Sequence, residues 1–324
     1  MPPEPEFTAA VLGLGAIGLG LDLASPDNHI YTHVKACLRH PRFRLITGID
    51  PKPERRREFE AFTGLRAYPS LEAAGLAPGP VDLCIIATPT PVRLEAVQAG
   101  LGLKPRLILV EKPLASTVAE GEAIMAACRG QEVRLAVNYF RYFAPGLQEL
   151  WRLAGARDFG PLESAVCHYS GGLLNNASHF VSLLLQWCGP PLNVRPLGLA
   201  RPLPSGDVNL AFALNLPHGP ARFFPVAGDY SIGELDLFFR RGRLRLENYG
   251  EAAAMWAAGE DPFFPGYGRL LPLEPPPPAP DLSRYQYDVL TYLAQVLDAR
   301  RDDALNAQNA LETLRVCRQV SDVA

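Results

Sequence analysis

Five short, nearly unbroken apolar runs punctuate the first 140 residues: Thr8–Leu12, Arg44–Ile49, Val81–Ala87, Arg106–Val110 and Arg134–Val137. None alternates polar with apolar as a strand with one wet face would, so each suits a strand covered on both faces of a parallel sheet. Segments of helical composition separate them, at His29–Arg39, Pro53–Thr63, Pro91–Leu101 and Thr117–Arg129. This succession predicts a doubly wound α/β domain, a Rossmann-type parallel sheet, over residues 1–142. Beyond it the period changes. Leu162–Ser170, Val208–Leu216, Glu234–Arg240 and Arg243–Glu247 alternate, and Leu235, Leu237, Leu244 and Leu246 flank a turn at Arg241-Gly242 as in a hairpin. Helices are expected at Ala144–Leu153 and Ser178–Cys188, with a C-terminal pair behind the stiff Pro275–Pro278 stretch. Residues 143–324 should therefore form an α+β domain with a large, mainly antiparallel, open-faced sheet.

Composition narrows the function classes. A net charge of −3 over 324 residues leaves no electrostatic footprint for nucleic acid or an anionic membrane. The start, Met1-Pro2-Pro3-Glu4-Pro5-Glu6, lacks a basic stretch followed by an apolar one, and the apolar run Phe180–Cys188 is too short to span a bilayer. Six cysteines are scattered without a Cys-x-x-Cys pair, which argues against a metal site or a disulfide framework and suits a reducing, cytoplasmic setting. Only Lys35, Lys52, Lys104 and Lys112 are lysines among 31 basic residues. A position that keeps lysine in such a chain is a candidate for releasing a proton, which arginine cannot do.

The run Thr8–Leu12 leads directly into Gly13-Leu14-Gly15-Ala16-Ile17-Gly18. In a dinucleotide turn the first glycine permits the tight bend, the second lets the backbone approach a pyrophosphate, and the third allows close helix–strand packing. The second apolar run ends in Asp50, where a carboxylate would accept the adenosine ribose hydroxyls and disfavour a 2′-phosphate. NAD is thus the expected cofactor; Arg55 and Arg56 leave NADP open. The acid is expected about 20 residues past the fingerprint, yet Asp50 lies 32 positions after Gly18. An insertion at Leu19–Asn28 accounts for the excess. It reads either as a loop bringing His29 or His33 to the cofactor mouth or as a surface excursion.

At the end of Leu107–Val110 stands Glu111-Lys112-Pro113, at the edge of the crevice where such folds hold ligands. Beside a cationic nicotinamide, the Lys112 ammonium would be poised to exchange a proton with a substrate hydroxyl. The glycine turn, Ala87-Thr88-Pro89, Glu111-Lys112-Pro113 and Val137-Asn138-Tyr139-Phe140-Arg141 together resemble the glucose–fructose oxidoreductase/inositol dehydrogenase (Gfo/Idh/MocA) family. So does Gly171-Gly172-Leu173-Leu174-Asn175-Asn176-Ala177-Ser178-His179 in the second half.

The resemblance implies a cofactor site on Gly13, Gly15, Ala16, Ile17, Gly18, Asp50, Thr88, Pro89, Glu111 and Lys112. It implies catalysis by Lys112 and His179, assisted by Asn175, and substrate contacts from Asn176, Arg141 and Tyr139. Three positions depart from the pattern: Asn175 and Ser182 stand for aspartates, and Arg93 for a histidine. The expected activity is NAD(P)-dependent hydride transfer at a carbinol carbon of a sugar, cyclitol or, by preference, nucleotide sugar. The alternative is a non-catalytic dinucleotide-binding regulator. A homo-oligomer, dimer or tetramer, is implied by the family alone.

Overall fold

The structure is a computed structural model that describes residues 6–26, 28–299 and 305–322. The chain divides into two compact units, Met1–Phe143 with Ser283–Leu311 and Ala144–Leu282 with Glu312–Ala324. A single break at 142/143 was the expectation from sequence. The difference lies in the helix Tyr285–Leu297, whose Val289, Leu290, Leu293 and Val296 are buried in the core of the first unit.

Among the described residues the first unit holds one parallel sheet of β1 (Phe7–Leu12), β2 (Phe43–Ile49), β3 (Ala67–Tyr68), β4 (Leu83–Ile86), β5 (Leu107–Val110) and β6 (Arg134–Val137). Its order is β3-β2-β1-β4-β5-β6. Crossovers run through α1 (His33–Arg39), α2 (Pro53–Thr63), α3 (Leu71–Ala74), α4 (Arg93–Leu101) and α5 (Val118–Gly130). Every residue of β4 and β5 is buried, which is why these strands read as continuous apolar runs; each such side chain contributes about 1.5–3 kcal/mol. β3, only two residues long, left no periodic signal. Sequence order reverses between β1 and β4, so a crevice opens at their carboxyl ends.

The insertion is resolved by hydrogen bonds. The amides of His33 and Val34 donate to the carbonyls of Ile17 (3.2 Å) and Gly18 (3.0 Å). In an uninterrupted helix residues 21 and 22 would take those places. The chain thus leaves the helix after one turn and rejoins it in register twelve residues later. Subtracting twelve from the 32 positions between Gly18 and Asp50 restores the spacing of about 20 that the fold requires. α1 starts at His33 rather than at the expected His29.

Buried Asp22 holds the excursion, accepting the Tyr31 amide (3.0 Å), the Thr32 amide (2.7 Å) and the Thr32 hydroxyl (2.8 Å). The buried ammonium of Lys35 lies 3.7 Å from Asp22 and donates to the Pro26 carbonyl at 3.1 Å. That contact explains why this position keeps lysine. At the other side the Ile30 amide donates to the Ser283 carbonyl (2.9 Å). The Tyr285 ring stacks on Tyr31 and on Phe140, with centroids 5.7 and 4.3 Å apart.

In the second unit β7 (Leu162–Tyr169), β8 (Asn193–Pro196), β9 (Arg201–Pro202), β10 (Val208–Asn209), β11 (Phe212–Leu216), β12 (Gly219–Pro225), β13 (Gly233–Phe239), β14 (Gly242–Glu247), β15 (Ala252–Glu260) and β16 (Gly268–Pro272) follow in turn. Eight of them form one sheet, β16-β15-β14-β13-β7-β12-β11-β8, antiparallel throughout except for β12 beside β7. The expected hairpin is β13–β14: Leu235, Leu237, Leu244 and Leu246 are buried, while Asp236 pairs with Arg243 (2.7 Å) and Glu234 with Arg245 (2.9 Å) on the opposite face. Val208–Leu216, read as one strand, is broken between β10 and β11. The Tyr169 hydroxyl takes both backbone groups of Leu210, accepting its N–H (3.0 Å) and donating to its carbonyl (2.7 Å). Trp151 and Trp187 stack nearly parallel, 5.0 Å between centroids.

No helix among the described residues is long and apolar enough to cross a membrane. All six cysteines are buried and none is in a disulfide, and burial pushes the thiols of Cys37, Cys84, Cys188 and Cys317 up to about 12.

The in-register excursion makes a length-specific prediction. Excising residues 21–32 together with Lys35→Ala, which removes the ammonium that Asp22 would no longer face, should leave a continuous helix within about 2 kcal/mol of parental stability in urea denaturation. Excising only 21–30 rotates residue 33 by roughly 200° about the helix axis and should cost about 3 kcal/mol or more. Equal losses for both lengths would refute the register.

Candidate active site

A cleft of about 850 Å³ lies over the carboxyl ends of β1, β2, β4 and β5. Its walls bring together Gly13, Gly15, Ala16 and Ile17, then Asp50, then Thr88 and Pro89, then Glu111 and Lys112. Nine of the ten residues expected to hold the cofactor therefore share one cavity. The tenth, Gly18, serves behind the turn: a Cβ there would overlap the Gly13 carbonyl. Gly13 has φ +96°, and its Cβ would come within 2.6 Å of the Ala87 carbonyl. Gly15 differs, for a Cβ there meets nothing within 4 Å and would stand in the cleft itself. The first and third glycines thus close the turn, and the second leaves room above it.

Asp50 is buried and engaged on both oxygens. One accepts the Leu14 amide (2.9 Å) and the other the Lys52 amide (2.9 Å). The carboxylate braces the glycine turn and keeps further lone pairs facing the cleft. Arg56 is turned away to the carbonyls of Asp50 and Pro51 (2.8 Å each), whereas Lys52 and Arg55 line the cleft.

Glu111 forms the hub of a buried network. Its Oε1 meets His33 Nε2 at 2.8 Å and accepts the Asn138 amide at 2.6 Å, while Oε2 accepts the Lys112 backbone amide at 3.2 Å. Asn138 also donates to Gln286 Oε1 (3.1 Å). Burial opposes the charge of Glu111, but the His33 contact, the Asn138 amide and the Lys112 charge outweigh it, holding the carboxyl below the usual range. The inserted segment therefore does deliver a histidine: His33, to the glutamate of the Glu-Lys-Pro turn. His29 instead packs against Tyr31. The sequence pointed to His33 only as one of two options, and nothing in it singled out Gln286 as a partner of this network.

Thr88 presents a buried hydroxyl oxygen for which the described residues provide no hydrogen-bond partner. That orphaned atom, the space above Gly15 and the cleft volume fit a bound dinucleotide. Among the described residues no group of three or more His, Cys, Asp or Glu side chains is placed to hold a metal.

In the second unit Gly171 (φ +76°) and Gly172 (φ +107°) lead into a widened π turn, Leu173–Ala177, followed by the helix Ser178–Cys188. His179 is buried in its first turn. Asn175 is exposed, its side-chain amide donating to the Gly171 carbonyl (3.3 Å), and Asn176 donates to the Ser170 carbonyl (2.7 Å). Asp207 was not anticipated. Its carboxylate accepts the amides of Leu174 (3.2 Å) and Asn175 (2.9 Å), and a Cβ on Gly172 would overlap it. In the sequence it follows Ser205-Gly206 and reads as an ordinary turn residue. Tyr139 and Arg141 lie just past β6 in the first unit and are both buried, the Arg141 guanidinium 4.4 Å over the Phe140 ring.

Two predictions follow from this geometry. Gly15→Val should leave thermal stability nearly unchanged yet weaken NADH binding by about tenfold or more, whereas Gly13→Ala should cost several kcal/mol of stability, roughly 2–4; comparable Tm losses for both would contradict the division of roles. Because the Glu111 carboxyl is depressed in the folded state, its contribution is complete above the unfolded carboxylate range, about 4.3, and fades as pH falls through the lower folded value. Urea titrations should show the wild type ahead of Glu111→Gln at pH 7, with the gap shrinking below about pH 4. A gap that grows on acidification would reverse the assigned sign.

Residues 7–139 match the NAD-binding Rossmann fold of the GFO_IDH_MocA oxidoreductase family. The chain is 26% identical over 268 residues, 76% of each protein, to a dTDP-3,4-didehydro-2,6-dideoxy-alpha-D-glucose 3-reductase of Streptomyces antibioticus. It is 30% identical over 147 residues, 45% of this chain and 41% of the other, to the rhizopine catabolism protein MocA of Rhizobium meliloti. Its fold is similar to that of a UDP-N-acetylglucosamine 3-dehydrogenase from Acidithiobacillus ferrooxidans, with a TM-score of 0.77, 20% identity and coverage of 98% and 97% of the two chains. The parallel sheet, its glycine turn and these likenesses agree: residues 7–139 match the NAD-binding domain of that oxidoreductase family, and the chain is similar over 76% of its length to a reductase of a dTDP-linked sugar.

Proposed function

We propose that this chain oxidises or reduces a ring carbon of a nucleotide-linked sugar, with Lys112 handling the proton at the reacting oxygen. The observation that carries this reading is the setting of Lys112. It is half-buried on the wall of the cleft, directly after a glutamate whose carboxylate is locked by His33 and Asn138. The 26% identical relative that acts on a dTDP-linked sugar supports the substrate class, as does the fold shared with an enzyme of a UDP-linked sugar.

In the proposed reaction the bound nicotinamide supplies or accepts the hydride. Lys112 takes the hydroxyl proton as the carbinol is oxidised and returns it in the reverse direction. Glu111, engaged on both oxygens by His33, Asn138 and the Lys112 backbone amide, fixes the turn that aims Lys112. Gly15 leaves the backbone open to a pyrophosphate, and Asp50 favours NAD through the ribose hydroxyls while Lys52 and Arg55 keep NADP possible. His179 is proposed as the second acid/base or oxygen-polarising group, with Asn175 orienting a hydroxyl and Asn176, Tyr139 and Arg141 as substrate contacts. The second unit's sheet is proposed to mediate a dimer or tetramer, and the buried thiols, none in a disulfide, suit the cytoplasm.

The test is direct. NADH absorbance followed with a panel of UDP- and dTDP-sugars, free sugars and inositols should show turnover with at least one nucleotide sugar. Lys112→Ala should then lower kcat by about a hundredfold or more while leaving the NADH Kd within roughly threefold. Turnover of free sugars or inositols alone would overturn the nucleotide-sugar assignment. NAD binding without turnover of any of them would favour a regulator.

A further inference from the structure

Arg93 occupies the first position of α4 and is buried, with only 3% of its surface exposed. Its guanidinium meets no carboxylate at ion-pair distance among the described residues. It donates instead to two backbone carbonyls, that of Thr88 at 2.8 Å and that of Pro113. Thr88 follows β4 and Pro113 follows β5, so one side chain bridges the two turns that form neighbouring walls of the cleft. Its third nitrogen, Nε, is buried with no hydrogen-bond partner among the described residues. Burial lowers its pKa to about 10, against the favourable charges of Glu111 and Tyr139, and it remains a cation at neutral pH.

A buried, carbonyl-bound cation is a costly way to fill space. What a guanidinium offers there is a rigid fork whose two arms reach separate acceptors at a fixed angle. Histidine, which the family resemblance leads one to expect at this position, has a single N–H when neutral and cannot span both carbonyls in this way. One arm ends on the residue after Lys112 and the other on the residue whose hydroxyl is left unpartnered in the cleft.

We propose that Arg93 is a positioning residue. It clamps the Thr88-Pro89 turn to the Lys112-Pro113 turn and so fixes how far Lys112 reaches across the cleft. The proposal rests on the role given to Lys112 above, and the scarcity of lysines allows a test that does not depend on turnover. Reductive methylation with ¹³C-formaldehyde labels the terminal amine and only four side chains, Lys35, Lys52, Lys104 and Lys112, and the Lys112 resonance is assigned by its loss in Lys112→Arg. In Arg93→Gln the Lys112 signal should shift and alter its response to added NAD⁺, while the Lys104 signal stays in place. Arg93→His is the second variant should the glutamine form fail to fold.

Where a sugar substrate is turned over, Arg93→Gln should lower kcat by about tenfold to a hundredfold with the KM for NAD within about threefold. Arg93→Lys, which keeps the charge and loses the fork, should recover only a minor part. An unmoved Lys112 signal in a folded Arg93 variant overturns the clamp. A moved signal in a protein that turns over no sugar supports the clamp and defeats only the proposed reaction.

Discussion

The contact between His33 and Glu111, 2.8 Å long and shielded from water, is the interaction on which the candidate site depends. It joins the first residue of the resumed helix to the turn that carries Lys112. Removing one partner of such a buried pair typically costs about 3–5 kcal/mol. Asn138 and the Lys112 amide complete the coordination of the glutamate, so the turn is held from β6, from the nucleotide-binding helix and from its own backbone. The contacts of the inserted segment lead to His33. The excursion rejoins the helix in register, Asp22 and Lys35 tie its base, and Ile30 and Tyr31 anchor its far side.

The cleft is organised on the same economy of backbone contacts. Asp50 reaches back to the glycine turn, Arg93 bridges β4 to β5, and Gly13 presses against Ala87. Four strand ends are thereby linked, β2 to β1 and β4 to β5 through buried side chains and β1 to β4 by close backbone approach. Preorganisation of this kind matters for hydride and proton transfer, because misplacements of about an ångström are expensive in rate. The second unit orders its own segment differently. There two glycines with positive φ lead into a widened turn whose Leu174 and Asn175 amides the Asp207 carboxylate accepts, just ahead of buried His179.

The parallel sheet was legible in the sequence because burial on both faces writes itself as unbroken apolar runs, and the β13–β14 hairpin because burial on one face writes itself as alternation. The nucleotide turn was legible because glycine is required where a Cβ would collide. Other features left no local trace. The two-residue β3 is too short to show a period, and the break at Leu210 depends on a hydroxyl forty-one residues away at Tyr169. The return of Tyr285–Leu297 to the first unit is a matter of tertiary packing, since an amphipathic helix does not state which core it joins. In the site, the excess spacing to Asp50 revealed an insertion but not its phase. The Arg93 substitution was visible as a departure, yet its two acceptors are backbone carbonyls that no residue pattern records.

All three tryptophans, Trp151, Trp187 and Trp256, belong to the second unit. Two are stacked with their planes 3° apart. Indole emission is therefore an optical signature of that unit alone, and the first unit contributes only its tyrosines. A single unlabelled sample can thus reveal whether the two units melt together or in succession, by comparing indole signals with backbone circular dichroism during one thermal ramp.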